Sequence, residues 1–101
     1  RFPSSASAFI YHGRFLLSVR DPLKAAESFR TARKLAREGS AVWCEATLDL
    51  ADALEAQGQA QGAADVLRVA AAIHPRFGNE GIRARLVRTQ ERLGASARPK
   101  E

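Results

Sequence analysis

Four carboxylates, Glu45, Asp49, Asp52 and Glu55, follow one another at steps of four, three and three. On a helix this spacing puts all four on one face. Like charges so placed repel by about 0.2–0.5 kcal/mol per pair. Such a row is either an ordinary solvated helix face or a surface that steers a cationic ligand. A row of the opposite sign lies near the end of the chain: Arg83, Arg85, Arg88 and Arg92. It could hold phosphates, or form the polar outer face that an end helix needs for solubility. No aromatic residue follows Phe77 to stack on bases, which favours the polar-face reading over nucleic-acid binding. A third use is self-association, with the basic row of one molecule on the acidic row of another, giving a homo-oligomer.

Groups that could carry covalent chemistry are sparse. The two histidines, His12 and His74, are far apart in sequence, and Cys44 is the single cysteine. Cys44 has no second cysteine at metal or redox spacing and reads as a buried structural thiol. No glycine-rich phosphate loop and no zinc-ligand spacing occurs. The expectation is therefore a protein that is not an enzyme and uses no cofactor and no metal.

The 101 residues carry 16 Lys and Arg against 11 Asp and Glu, a net charge of +5. The order of the charges matters more than their sum. Residues 1–37 hold eight basic and two acidic groups, residues 38–65 six acidic and no basic ones, and residues 76–101 seven basic and three acidic. A wholly acidic centre would repel phosphates, which argues against a nucleic-acid partner. The length suits one domain, and no uncharged stretch is long enough to span a bilayer. A free cysteine points to the cytoplasm, and the alanine- and arginine-rich usage to a bacterial source. A start at Arg1 rather than methionine suggests a piece of a larger protein.

Five amphipathic helices must position these rows. Residues 1–5 read as a loose leader, 6–94 as one helical domain, and 95–101 as a flexible tail. The first helix repeats Phe9, Gly13, Leu16 and Leu17 at helical spacing and stops before Asp21-Pro22. Asp21 caps the second, which buries Ala25, Ala26, Phe29, Ala32 and Ala36 and ends at Gly39. Ser40 caps the third, with Trp43, Ala46, Thr47, Leu50, Ala53 and Leu54 inward and Gly58 as its stop. The fourth turns Ala63, Val66, Leu67, Ala70, Ala71 and Ile73 inward and closes at His74-Pro75. Asn79 caps a fifth with Ile82, Leu86 and Leu93, ended by Gly94. No period-two alternation predicts a strand, and alanine stands where a sheet would need β-branched residues. The fold class expected is all-α.

Thr47, Leu50, Ala51, Leu54, Gly58, Ala63, Leu67, Ala70 and Pro75 have the order and spacing of a tetratricopeptide (TPR) repeat. Phe9, Gly13, Leu16, Ala25, Phe29 and Ala32 match it a second time. Residues 6–75 thus resemble two TPR hairpins, a helix-turn-helix repeat solenoid whose fifth helix would be a cap or the first half of a third repeat. Gly13, Ala25, Ala51 and Ala63 stand where paired helices approach closely. There are departures. Thr47 replaces the family's tryptophan, His12 its first leucine, Ala51 its glycine, and Leu54 and Leu67 aromatics. On this pattern His12 is expected in the core. The repeats are offset by 38 residues, Phe9 to Thr47, against about 34 in the family. The extra residues fall between Arg33 and Trp43, predicting a long second helix with Trp43 packed near its end.

The resemblance implies a protein–protein interaction scaffold whose first helix in each hairpin lines a concave groove. Carried over by register, the groove presents Ser7, Ile10, Tyr11, Arg14 and Leu17, then Glu45, Leu48, Asp49, Asp52 and Glu55. Its carboxylates would attract a basic peptide or protein segment, with Tyr11 and Leu48 giving apolar contact. Tyr11 and Asp49 stand where relatives that clamp a peptide C-terminus carry small amides, so that mode is not expected.

Overall fold

A computed structural model describes residues 5–97 of the chain. It folds into five helices: α1 (Ala6–Ser18), α2 (Pro22–Leu35), α3 (Ala41–Ala56), α4 (Ala60–Ile73) and α5 (Glu80–Ala97). There is no strand among the described residues. The helix starts follow the predicted side-chain caps. Asp21 accepts the Lys24 N–H at 3.3 Å, Ser40 that of Trp43 at 3.2 Å, and Asn79 that of Ile82 at 2.9 Å. Pro22 occupies the first turn of α2, where its missing N–H costs nothing. The stops follow too: Gly58 has φ +82° just past α3, and His74 ends α4 ahead of Pro75.

Each helix packs on the next, and α3 packs in addition on α1 and on α5. The second helices, α2 and α4, do not approach each other. Since α3 is covered by all four neighbours, ten of its sixteen residues are buried. Phe29, Leu48, Leu67, Phe77 and Leu93 fill the main core beside Trp43, Leu50 and Leu54. A smaller cluster of Ile10, Ala32 and Ala46 joins α1, α2 and α3.

The small residues sit where the helices close up. Ala25, Ala51 and Ala63 are fully buried. Gly13 lies against the ring of Phe29: a Cβ built there would stand 2.7 Å from Cζ and 2.8 Å from Cδ1. Gly13→Ala gains about 0.5–1 kcal/mol of helix propensity but overpacks this contact at about 1–3 kcal/mol. The expected result is a net loss in urea unfolding that shrinks when Phe29→Leu is made as well. Equal effects in both backgrounds would separate Gly13 from the ring.

Several expectations are corrected. α2 is no longer than α4, fourteen residues each. The extra residues form the connection instead: Ala36 is already extended, and Gly39, at φ +86°, turns the chain into the Ser40 cap. Trp43 does pack near the end of α2, under Arg33. α5 runs past Gly94 to Ala97: the expected stop is a helix-interior glycine with open space around it. Ser5 belongs to the cap of α1 rather than to a leader. Residues 1–4 and 98–101, the rest of the expected leader and tail, lie outside the described residues. His12 and Ile73, both expected inside, are exposed. In α3 the residue matching His12 is Leu50, which is buried; among the described residues none covers His12 on α1.

Candidate functional site

The acidic row of α3 is not free. Asp49 is 3 % exposed although it is charged. From α1, Arg14 donates to its Oδ2 through Nε at 3.0 Å and approaches through Nη2 at 2.9 Å. From α5, Arg85 donates through Nη2 to Asp49 Oδ1 at 2.6 Å and to Asp52 Oδ2 at 3.0 Å. Arg92, also on α5, reaches Asp52 Oδ1 at 3.1 Å and Glu55 Oε1 at 2.6 Å, with its Nε on the same Glu55 carboxylate. The result is a ladder across three helices, Arg14–Asp49–Arg85–Asp52–Arg92–Glu55, with three positive and three negative groups.

This geometry follows from helical spacing. Asp49, Asp52 and Glu55 rise along one face of α3, while Arg85 and Arg92 are seven apart, about two turns, on the facing side of α5. Burial works against the Arg85 cation, but its hydrogen bond to Asp49 and the charges of Asp49 and Asp52 more than offset this, so its pKa lies above the ordinary value. The Arg92 pKa is raised chiefly by its hydrogen bond to Glu55. The like-charge repulsion expected within the α3 row is thereby removed inside the molecule.

The predicted groove residues therefore divide. Leu48 and Ile10 are buried and belong to the core, not to a ligand surface. Asp49, Asp52 and Glu55 are held by arginines of the chain itself. Tyr11, at 70 % exposed, and Glu45, without an ion pair among the described residues, stay accessible beside Arg14. The predicted basic patch divides as well: Arg85 and Arg92 pair with the α3 carboxylates, Arg83 donates to the Arg76 carbonyl at 2.9 Å, and Arg88 is exposed.

Burial raises the Cys44 thiol pKa, which disfavours the reactive thiolate. His74 Nε2 lies 2.9 Å from Glu38 Oε2, with its ring edge-on to Trp43. Among the described residues no three His, Cys, Asp or Glu groups converge to hold a metal ion. No described helix is long and apolar enough to cross a membrane.

A second surface escaped the sequence reading. An open trough of about 650 Å³ runs between α2 and α4, with Arg30, Arg33 and Lys34 on one wall and Val69 and Ile73 on the other. The Arg33 guanidinium lies over the Trp43 ring, 4.7 Å from its centroid. The signal was present: Val66, Val69 and Ile73 continue at helical spacing past the face that α4 needs for its core, and Arg30, Arg33 and Lys34 share a face of α2. Only the divergence of α2 and α4 turns these into one feature. No family model, no curated protein and no solved structure matches the chain.

Proposed function

We propose that the chain is a helical-repeat interaction module, two TPR-like hairpins and a terminal helix, which binds a protein segment along the α1–α3 face in the reducing cytoplasm. The observation that carries this reading is the stacking order. The first helices, α1, α3 and α5, lie side by side, while the second helices, α2 and α4, stay apart. Such a stack curves with α1, α3 and α5 on its inner side, as a concave scaffold requires. The arginine ladder holds that side in one shape before any partner arrives, which lowers the ordering cost of binding.

The partner class differs from a simple reading of the α3 carboxylates. A basic peptide gains little here, since reaching Asp52 or Glu55 means displacing Arg85 or Arg92. Tyr11 is the aromatic anchor of the face, with Glu45 and the outer edge of Arg14 as its polar rim. The two other readings lose support for the same reason. Two of the four arginines that would hold phosphates are neutralised, and the pairing imagined between molecules is satisfied within one.

Selection of displayed random peptides on the folded domain tests this. Enriched peptides are expected to weaken at least about tenfold on Tyr11→Ala, an aromatic hot-spot loss, and to change in sequence on Glu45→Arg. No enrichment, or peptides indifferent to Tyr11, overturns the reading.

A further inference from the structure

The α2–α4 trough carries unspent charge. Arg30, Arg33 and Lys34 make no direct ion pair among the described residues; of the acids at its border, Asp65 is paired with Arg68, and Glu38 lies on His74 and offsets the Arg33 charge only at longer range. Arg33 is the clearest case. Its Nε is buried with no hydrogen-bond acceptor, and its guanidinium is fixed in place over Trp43. A planar cation so held is prepared for a carboxylate. The opposite wall is apolar, with Val69 48 % and Ile73 61 % exposed. The trough is thus mainly cationic along α2, with Glu38 at its end, and mainly apolar along α4, with Asp65 at one end.

Its form distinguishes between ligand types. Small molecules favour sites that enclose most of their surface, and this trough is open along its length. From Asp65 to Ile73 the wall of α4 rises about 12 Å, a little over two helical turns. That length suits a helix laid in a groove, which anchors through apolar residues at i, i+3, i+4 and i+7.

We propose that the trough docks an acidic amphipathic helix of a protein partner, its apolar ridge along Val69 and Ile73 and its carboxylates toward Arg30, Arg33 and Lys34. This site is separate from the α1–α3 face and does not depend on binding there. Complementary charge sets the direction in which the partner helix lies, because only one of its flanks meets cations.

Trp43, the single tryptophan, reports on the trough directly. The probe is a capped peptide with leucine at i, i+3, i+4 and i+7 and glutamate along one flank. Titrated into the intact chain, it is expected to give a saturable change in Trp43 fluorescence, and its lysine counterpart none. Arg30→Glu with Lys34→Glu, both at exposed positions, is expected to weaken the acidic peptide at least about tenfold and to admit the basic one. Ile73→Glu should abolish the response while circular dichroism stays unchanged. Equal binding of both peptides, or indifference to the Arg30 and Lys34 changes, overturns the proposal. So does a Trp43 response to decanoate with none to the peptide, which would assign the trough to a small anionic amphiphile.

Discussion

Phe29→Ala is expected to cost about 3–5 kcal/mol of folding stability. The ring is fully buried and closes the first hairpin against Gly13, where no side chain could replace it. A domain of this size has a total stability of about 5–15 kcal/mol, so the loss is a large fraction of what holds it together. At about 4–8 °C per kcal/mol, the melting temperature should fall by roughly 12–40 °C. Unfolding followed by circular dichroism checks this. A fall of only a few degrees would mean that α1 and α2 pack without the ring.

Asp49→Lys is expected to cost about 3–5 kcal/mol as well, the range for a broken buried ion pair. The cause is different. The new cation would stand between Arg14 and Arg85, with Arg85 still tied to Asp52, and the buried position admits little water. Asp52→Lys should cost distinctly less, because that side chain is about a third exposed and water screens the new charge. The order of the two variants in urea matters more than either value. Equal costs would show that burial at Asp49 does not set the strength of the ladder.

Local physics was legible in the sequence. Asp21, Ser40 and Asn79 cap helices through bonds that span three residues, so the spacing alone reveals them. Proline and glycine marked the stops after α3 and α4 for the same reason. The face that a helix buries was partly readable: in α3 the residues expected inward are all buried, but Leu48 and Asp49, expected on the groove, are buried as well. The reading failed at α1. His12 stands in a position that Leu50 fills in the core of the next hairpin, yet nothing covers it. Periodicity tells which residues share a face, not whether a neighbour exists to cover it.

The charge rows show the same limit more sharply. Spacing placed Glu45, Asp49, Asp52 and Glu55 on one face and the arginines in a second row. It could not pair them, because each partner lies 33 to 40 residues away. Taken separately, the rows read as an acidic groove and a basic patch. Brought together, Asp49, Asp52 and Glu55 pair with Arg85 and Arg92 of the basic row and with Arg14 of α1, and leave Glu45, Arg83 and Arg88 outside the network. The trough was missed because it exists only between two helices that are not neighbours in sequence and whose backbones stay apart.

The most direct test is a double-mutant cycle on Asp49 and Arg85, read by urea unfolding at low salt. If the acidic row of α3 is held by α5, Asp49→Ala and Arg85→Ala should couple by about 1–3 kcal/mol, as expected for contacting groups in one network. Additive losses, with a coupling below about 0.3 kcal/mol, would mean that the two rows do not meet and that the α3 carboxylates stand free for a partner.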